Sequence, residues 1–471
     1  MTRPSTKRTA AKRSTGLTQP DLGPVETIPV DLLKPYPGNA RTHDDKQIAL
    51  IGRSLETFGW MTPIIAQRDG TIIAGHGRWL AAKSLGLTDC PVVRVEHLGD
   101  DQIRAYRLAD NRLAELSGWD RDILEIELQH LSSVELDFNI ETIGWEHAEL
   151  DLLLDPEKEE ETGDPADENV PAPEPTAVTR LGDLWLLDQH RLLCGSSLEA
   201  GSFATLMEGQ LAAMVFQDAP YNVPISGHVG GLGKTRHREF AMASGELSDD
   251  QFRVFLATNA KLVAANAMDG AILDMCMDWR GLLPLQLAIA EAGLSLINLA
   301  VWVKSNAGMG SLLRSQHELV LITKKGNVPH INNVALGKHG RYRTNVWRYA
   351  GVNSFGRNRM EQLGGHPTPK PVLMVADAIR DVTHRGQIVL DSFMGSGTTL
   401  LAAERTGRIA FGMDLDPVYI DLTVRRWQKM TGRKAVLAAT GQSFDDVMME
   451  RLHLSEPAGE TMPAANSVEG V

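Results

Sequence analysis

The chain has few cysteines, few aromatic residues and no long hydrophobic run. Its three cysteines, in 471 residues, form neither a pair spacing nor a metal-binding pattern, which argues against a disulfide framework and favours a reducing cytoplasm. No stretch of about 18 apolar residues is present, so no membrane-spanning helix is expected. The N-terminal sequence MTRPSTKRTAAKRSTG lacks the apolar segment of a secretory signal, so we expect none.

The net charge of −13 does not exclude a nucleic-acid partner, because much of it lies in separate segments. Residues 1–20 carry five basic side chains and no acid, whereas residues 155–176 carry nine acids and one lysine. Charged, proline-rich segments of this kind are typical of disorder. The overall charge therefore does not identify the partner.

These segments predict the domain organisation. Chain length favours two or three domains, and the acidic, proline-rich composition of the middle segment predicts a linker. We expect a disordered basic arm (1–24), an N-terminal domain (25–153), a linker (154–179), a C-terminal domain (180–445) and a flexible tail (446–471).

The C-terminal domain has the pattern of an α/β fold. QIVLD (387–391) predicts a strand, GTTLLAAERTG (397–407) a helix ending at glycine, and RIAFGMD (408–414) the next strand. A strand–helix–strand unit implies a parallel sheet flanked by helices. Further strands are predicted at 270–276, 296–304 and 318–326, and further helices at 251–267 and 281–293.

A glycine-rich loop, DSFMGSGTTL (391–400), joins the first of these strands to its helix. Gly395 and Gly397 allow the backbone to approach a ligand, and the helix start offers free N–H groups. Asp414, at the end of the next strand, lies where a ribose would be held. A plain tight turn and a dinucleotide-binding turn are the alternatives, but the phenylalanine and paired threonines favour a smaller, zwitterionic ligand.

The segment MVFQDAPYNVPISGH (214–228) ends an apolar strand with an acid, a proline and a tyrosine. The exocyclic amine of a nucleobase is a poor nucleophile because its lone pair is delocalised into the ring. Asp218 and the Ala219 carbonyl could accept both N–H groups and free that lone pair. Pro220 restricts the turn, and Tyr221 offers an aromatic face to a base taken out of the duplex. The alternative is a turn with a helix-capping aspartate.

With these motifs in this order, residues 180–445 resemble the S-adenosylmethionine-dependent DNA amino-methyltransferases of the permuted type. DAPYN resembles the family's Asp-Pro-Pro-Tyr motif, and DSFMGSGTT its cofactor loop. HPTPKPVLM (366–374) resembles the His-Pro-x-x-Lys-Pro segment, and GDLWLLDQHRLLCGSS (182–197) the entry hairpin. The resemblance implies a Rossmann-like domain with a mixed, mostly parallel sheet and direct in-line methyl transfer to DNA.

The resemblance also implies roles for individual residues. Catalysis would fall to Asp218, Pro220 and Tyr221. The cofactor S-adenosylmethionine, with no metal, would be bound by Asp391, Phe393, Gly395, Gly397, Thr398, Asp414, His366, Thr368 and Lys370. A surface lysine is the alternative for Lys370. Two positions depart from the family pattern: Ala219 replaces a proline, and Ser196 stands where relatives often carry aspartate.

The target base and the DNA contacts are also expected from these residues. An acid at position 218 resembles the adenine-N6 members more than the cytosine-N4 members. No cysteine follows a proline, which disfavours carbon-5 cytosine methylation. Basic residues interleaved with aromatics predict contacts with double-stranded DNA at Lys338, Arg341, Arg343, Trp347 and Arg348. A solvated loop is the alternative there, and GKTRHREF (233–240) is a second candidate.

Two further expectations, one on a polar cluster and one on the oligomeric state, do not concern catalysis. LLRSQHELVL (312–321) places Arg314, His317 and Glu318 at the head of a strand, where we assign them a structural role. Related enzymes often dimerise, so a homodimer is considered, although the sequence gives no independent sign of one.

The N-terminal domain has a different resemblance. Residues 25–153 are similar to the ParB/sulfiredoxin type, a smaller α+β domain, in which a Gly-x-x-Arg turn opening a helix grips nucleotide phosphates. Here the turn is Gly75-His76-Gly77-Arg78, and relatives usually have an acid and a second arginine at its two central positions. We therefore predict an accessory DNA- or partner-binding module. A helix-start hydrogen bond is the alternative role for His76.

The motifs together predict a cytoplasmic, bacterial or phage-derived methyltransferase specific for the N6 amine of adenine in DNA. An N4-cytosine methyltransferase is the alternative within the same chemistry. A ParB-like DNA-binding protein with a degenerate methylase half is the alternative outside it.

Overall fold

The computed structural model describes residues 23–134, 136–154, 165–168, 174, 176–223, 245–305, 312–334, 342–350 and 369–453. The chain forms two compact units, Met1–Glu146 and His147–Val471. Each unit has its own sheet and its own hydrophobic core.

The first unit contains a four-stranded sheet and four α-helices among its described residues. The strands are β1 Val25–Pro29, β2 Ile64–Ala66, β3 Ile72–Ala74 and β4 Asp89–Arg94, in the order β1-β4-β2-β3. The helices are α1 Asp45–Phe58, α2 His76–Ser84, α3 Asp100–Glu115 and α4 Arg121–Ser133, with 3₁₀ turns at Val30–Leu32 and Ile140–Ile143. This is the predicted α+β arrangement.

Local sequence signals fix the ends of α1. The Asp44 side chain accepts a hydrogen bond from the Gln47 backbone N–H at 2.7 Å, which caps the N-terminus. Gly59 follows the last turn with φ +71°, a left-handed conformation that ends the helix. The strands bury Ile64, Ile72 and Val92 in the core of the unit.

The second unit is built on one mixed sheet. Its strands are β5 Leu184–Leu187, β6 His190–Cys194, β7 Ala212–Gln217, β8 Ala267–Met277, β9 Ser295–Val303, β10 His317–Lys324, β11 Val346–Arg348, β12 Ile388–Asp391, β13 Ile409–Asp414 and β14 Val436–Leu437. They lie in the order β11-β9-β10-β8-β7-β12-β13-β6-β5-β14. The predicted α/β fold with a mostly parallel sheet centre is confirmed.

Helices flank this sheet. They are α5 His147–Leu154, α6 Pro165–Glu168, α7 Ala200–Met207, α8 Asp249–Ala265, α9 Leu282–Glu291, α10 Val372–Val382, α11 Thr398–Thr406, α12 Pro417–Thr431 and α13 Phe444–His453. Two hydrophobic clusters form, one containing α10 to α12 and the other α7 to α9. Strands buried on both faces read as continuous apolar runs, which explains why β7 lacks a polar alternation.

A switch in strand order lies between the parallel strands β7 and β12, which we call the reversal point of the sheet. Strands β8, β7, β12, β13 and β6 run parallel, so their carboxyl ends lie at one edge. After β7 the chain continues to β8 on one side, whereas after β12 it continues to β13 on the other. In open α/β sheets, ligands bind at the carboxyl ends of the strands on either side of such a reversal.

A buried ion pair ties α5 to this unit. The two terminal nitrogens of Arg408 donate to the two carboxylate oxygens of Asp151, each at 2.7 Å. The side chains are 0% and 1% exposed. Burial raises the pKa of Asp151, but the hydrogen bonds and charge of Arg408 and the charge of Arg385 outweigh it and lower the pKa below its usual value. The pair therefore stays ionised.

Candidate active site

Strand β7 carries Asp218 to the reversal point. Every residue of β7 is buried, and the strand ends at Gln217. The Gln217 side-chain amide donates to Asn259 Oδ1 at 2.8 Å and to Ser392 Oγ at 2.6 Å. Since Ser392 follows β12, these bonds hold the predicted catalytic turn (218–221) and the glycine loop at the same sheet edge.

Asp218 accepts one hydrogen bond on each carboxylate oxygen. The Tyr221 hydroxyl donates to Oδ1 at 2.8 Å, and Lys370 Nζ donates to Oδ2 at 2.6 Å. Lys370 Nζ also lies 3.0 Å from Glu318 Oε2 and 3.3 Å from the Tyr221 oxygen. Lys304 pairs with the other oxygen of Glu318. We call these five residues, Asp218, Tyr221, Lys304, Glu318 and Lys370, the Lys370 cluster.

The Lys370 cluster is largely removed from solvent. The side chains of Lys370, Glu318 and Asp218 are 4%, 10% and 22% exposed. Burial raises the pKa of Glu318, but Lys370 and Lys304 outweigh burial and lower it. Burial also opposes the charge of Lys370, yet Asp218 and Glu318 raise its pKa. Both groups therefore remain charged at neutral pH.

Tyr221 stays a neutral hydroxyl in this cluster. Burial first, and then the charges of Asp218 and Glu318, raise its pKa well above the usual value. The hydroxyl can therefore donate a hydrogen bond to a carboxylate at any pH near neutrality.

The glycine loop after β12 adopts a backbone that requires glycine. Gly395 has φ +51° and Gly397 has φ +88°, both in the left-handed region. A Cβ on Gly397 would lie 2.7 Å from the Thr423 side chain, so the loop packs tightly on α12. Helix α11 begins directly after Gly397, and its first N–H groups are at the carboxyl edge of the sheet.

Two carboxylates border this loop. Asp391 Oδ1 accepts from the Phe393 N–H at 2.9 Å, and Asp391 Oδ2 accepts from Thr399 Oγ1 at 2.6 Å. Asp414 Oδ2 accepts from the Gly395 N–H at 2.9 Å. Burial raises the pKa of Asp391 to about 7 and that of Asp414 to about 6. A cationic ligand would therefore favour their ionised forms.

Unpaired polar atoms fit a ligand at this edge. Among the described residues, Thr398 Oγ1 and Ser197 Oγ are buried without a hydrogen-bond partner. Buried polar atoms of this kind are costly unless a ligand or water satisfies them. Hydroxyls, free helix N–H groups and two carboxylates suit a ligand that carries both a carboxylate and a cationic group.

The predicted DNA-contact residues fall into three groups. Lys338, Arg341 and the segment 233–240 lie outside the described residues. Arg343 is partly buried and donates to Asp381 at 2.9 Å, and Trp347 on β11 is 5% exposed in the core. The pairing of Arg343 and the burial of Trp347 count against DNA contacts at these two residues, which stay a prediction. Arg348 is exposed on β11.

The predicted cofactor residues are also only partly brought together. Asp391, Phe393, Gly395, Gly397, Thr398 and Asp414 lie in or beside the glycine loop. His366 and Thr368 lie outside the described residues. Lys370 was expected at the cofactor, yet it contacts Asp218 of the catalytic turn. Glu318, on β10, is the second acidic partner of Lys370 and helps to hold it at this position.

Sequence reasoning missed Glu318 and Lys304 as members of the site. Glu318 lies at the start of β10 and Lys304 directly after β9. Both are separated from Asp218 by long stretches of chain, and only the sheet order brings them near it. The available sequence signal was Glu318 in SQHELVL, because a charged residue at the start of an apolar strand can belong to a site.

The predicted phosphate turn of the first unit opens α2. Gly75 has φ +100° and precedes the helix. His76 Nε2 accepts the Tyr36 backbone N–H at 3.3 Å. Burial lowers the pKa of His76 to about 4, so it carries no charge for a phosphate at neutral pH. A Cβ on Gly77 would lie 2.8 Å from the terminal methyl of Ile51, so a side chain there would require Ile51 to shift.

A separate cavity of about 560 Å³ lies in the first unit. It is lined by four arginines, Arg41, Arg104, Arg107 and Arg112. Arg41 and Arg112 pair with Glu115 at its rim. Among the residues that the structure describes, no group of His, Cys, Asp and Glu could hold a metal ion. None of the described helices has the length and apolar character needed to cross a membrane.

Three family models match the chain. One described as DNA methylase matches residues 212–425, which include the predicted catalytic turn and the glycine loop. A ParB N-terminal domain matches residues 16–112, and a ParB-methyltransferase HTH domain matches residues 122–181.

Individual proteins are similar to separate parts of the chain. The ParB-like nuclease domain-containing protein YnaK of Escherichia coli (strain K12) is 43% identical over 74 residues, 16% of this chain and 85% of YnaK. Type II methyltransferase M2.MboI of Moraxella bovis is 27% identical over 150 residues, 30% of this chain and 54% of that protein. The crystal structure of an M1.HpyAVI–SAM complex is 18% identical and covers 50% of this chain and 97% of its own, with a TM-score of 0.37. The chain spans about half the length of the curated type II methyltransferases M2.MboI and M2.DpnII, 54% of each.

Residues 212–425 form a DNA methylase domain of the N6/N4 family, which contains the predicted catalytic turn and the glycine loop. The N-terminal part belongs to the ParB-like family. The chain therefore joins a ParB N-terminal domain and a ParB-methyltransferase HTH domain to an N6/N4 DNA methylase domain.

Proposed function

We propose that the chain transfers a methyl group from S-adenosylmethionine to the N6 amine of adenine in double-stranded DNA. One observation carries this proposal. Asp218 follows β7 and Asp391 ends β12, and these neighbouring parallel strands flank the reversal point of the sheet. A base-binding carboxylate and a cofactor-binding loop at one edge are what direct transfer between two bound molecules needs.

The catalytic turn would receive a base flipped out of the duplex. Asp218 accepts one N–H of the target amine, and the Ala219 carbonyl accepts the other. These two acceptors pull the nitrogen toward a tetrahedral geometry and free its lone pair. Tyr221 offers its ring to the base, and Pro220 restricts the turn. As the amine is alkylated, its proton moves toward the Asp218 carboxylate.

The glycine loop would hold the cofactor. The residues proposed to surround its methionine part are Asp391, Phe393, Gly395, Gly397 and Thr398, and Asp414 would hold the ribose. Thr398 Oγ1, which has no partner among the described residues, supports this placement. When bound, S-adenosylmethionine supplies an electrophilic methyl group. The protein then contributes mainly alignment and electrostatic complementarity.

Adenine is proposed as the target because an acid occupies position 218. The methylase family contains both adenine-N6 and cytosine-N4 chemistry, and the two amines make the same demands on Asp218 and Tyr221. The N-terminal unit is proposed to be an accessory DNA- or partner-binding module. Its arginine-lined cavity supports an anionic partner.

The test is methyl transfer by the full chain from labelled S-adenosylmethionine to unmethylated duplex DNA, followed by nucleoside analysis. We expect N6-methyladenine. N4-methylcytosine would keep the mechanism and overturn the base assignment. Absence of both transfer and cofactor binding would favour a DNA-binding protein with an inactive methylase half.

Substitution of the catalytic carboxylate makes the test specific. Asp218→Ala should abolish transfer while cofactor affinity is retained, because the cofactor loop lies on β12 rather than β7. Glu291→Gln, an exposed carboxylate paired with Arg253 on the surface, is the matched control. Turnover by Asp218→Ala equal to that of the control would refute the catalytic assignment.

A further inference from the structure

We infer that Glu318 is a positioning residue for methyl transfer, acting through Lys370 and Tyr221 to hold the catalytic turn in the arrangement that receives the target base. The inference rests on the proposed methyltransferase function. Glu318 lies on β10, outside the segments with which the methyltransferase motifs were recognised.

The first step is the geometry at Lys370. An ammonium group has three donors and no acceptor. Around Lys370 Nζ lie three acceptors, Asp218 Oδ2 at 2.6 Å, Glu318 Oε2 at 3.0 Å and the Tyr221 oxygen at 3.3 Å. With its side chain only 4% exposed, Lys370 has little access to water as a substitute. Loss of Glu318 would therefore leave one donor without its partner and release the orientation of the ammonium group.

The second step concerns Tyr221. Its hydroxyl has one proton and lies 2.8 Å from Asp218 Oδ1 and 3.1 Å from Glu318 Oε2. The hydroxyl is therefore held between two carboxylates, with Lys370 as a donor to its oxygen. These contacts restrict the rotation of the ring. Glu318 thus contacts both partners that fix Asp218.

The third step is charge. Asp218 and Glu318 contribute two negative charges, and Lys370 and Lys304 contribute two positive charges. Lys370 therefore shares its charge between two carboxylates, and Asp218 retains lone pairs to accept the amine. Without Glu318, Lys370 would pair with Asp218 alone, and the carboxylate would become a weaker acceptor for the base.

Glu318 acts as a fixed charge in this arrangement and not as a proton carrier. Lys370 and Lys304 lower its pKa despite burial, so it remains a carboxylate at pH values near neutrality. A group that resists protonation is unsuited to accept the proton released by the amine. Its contribution is therefore orientation.

The experiment compares Glu318→Gln and Glu318→Ala with the wild-type full chain and with Glu291→Gln as control. We expect kcat to fall by about 10-fold for Glu318→Gln, which keeps an oxygen acceptor, and by about 100-fold for Glu318→Ala. Cofactor Kd should stay within about twofold of wild type, because only a transfer-specific alignment is lost. Circular dichroism confirms that each variant is folded.

Each outcome decides the inference. Wild-type kcat in both Glu318 variants, with an active wild-type chain, would overturn the positioning role and leave the proposed function intact. Parallel losses of kcat and cofactor affinity would show a general structural role and overturn it as well. If the wild-type chain transfers no methyl group, the proposed function fails and the positioning role fails with it.

Discussion

Cofactor affinity should fall as the pH drops below neutrality, because Asp391 must be ionised to hold a cationic group. Asp391 is 3% exposed and lies at the end of β12. Burial is the largest cause that raises its pKa to about 7, and the charges of Asp218 and Asp414 add to it. This value applies to the cofactor-free protein. Affinity is therefore nearly complete about one pH unit above that pKa and is lost as the pH falls through it.

The size of the effect follows from the ionised fraction. With a pKa of about 7, the carboxylate is about 90% ionised at pH 8 and about 10% ionised at pH 6. If the ionised form binds, Kd rises by about 10-fold over that interval, and by about another 10-fold at pH 5. Asp414, whose pKa is raised to about 6, steepens the loss at the acidic end.

Isothermal titration of S-adenosylmethionine into the full chain between pH 8 and pH 5.5 would measure this dependence. Asp391→Asn is the matched control, because it keeps the shape of the side chain but cannot ionise. Its affinity should be weak, and only the shallower contribution of Asp414 should remain. A wild-type Kd that is constant over the same interval would refute the assignment of Asp391 to the cofactor.

Three substitutions test other parts of the structure. Tyr221→Phe keeps the aromatic face and should lower single-turnover rates less than Tyr221→Ala; equal losses would contradict a stacking role. Asp151→Ala leaves Arg408 buried without its partner and should reduce the free energy of unfolding by about 3–5 kcal/mol in urea denaturation; a loss below about 1 kcal/mol would mean that water reaches the arginine. Arg348→Ala should weaken duplex binding about equally across sequences and reduce the slope of log K against log salt by about one; an unchanged slope would remove Arg348 from the DNA surface.

The parts of the fold that could be predicted depend on neighbouring residues. The strand at 387–391, the glycine loop and the helix at 397–407 follow one another directly, and the structure has β12 and α11 at those positions. The hairpin in 182–197 was similarly local and forms the antiparallel pair β5–β6. Apolar runs and glycine positions were sufficient because each element is determined by its own sequence.

The parts that could not be predicted depend on sheet order. Glu318 reaches Lys370 because β10 lies next to β8, two positions from β7, the strand that precedes Asp218. Arg343 and Trp347 have a composition suited to DNA, but β11 pairs with β9 and buries Trp347 against the core. No local pattern distinguishes an arginine that faces solvent from one that pairs with acids on a distant helix.

The two departures from the family motifs do not favour a degenerate methylase half. Ala219 is buried in the apolar cluster beside β7, and Asp218 is held by hydrogen bonds from Tyr221 and Lys370. Ser196 Oγ accepts the Leu198 N–H at 3.3 Å and so shapes the turn before α7.

The Lys370 cluster itself argues for chemistry. Burying an ion costs several kcal/mol even in a relaxed protein, and well-packed apolar side chains are often neutral or stabilising replacements. A domain that served only as a scaffold would gain nothing from four charged groups gathered beside one turn. Their cost is understandable if Asp218 must remain charged, oriented and partly open to an incoming amine, with its side chain 22% exposed while Lys370 behind it is 4% exposed. The cluster places its accessible carboxylate where the base would enter and its buried charges where they hold that carboxylate in place.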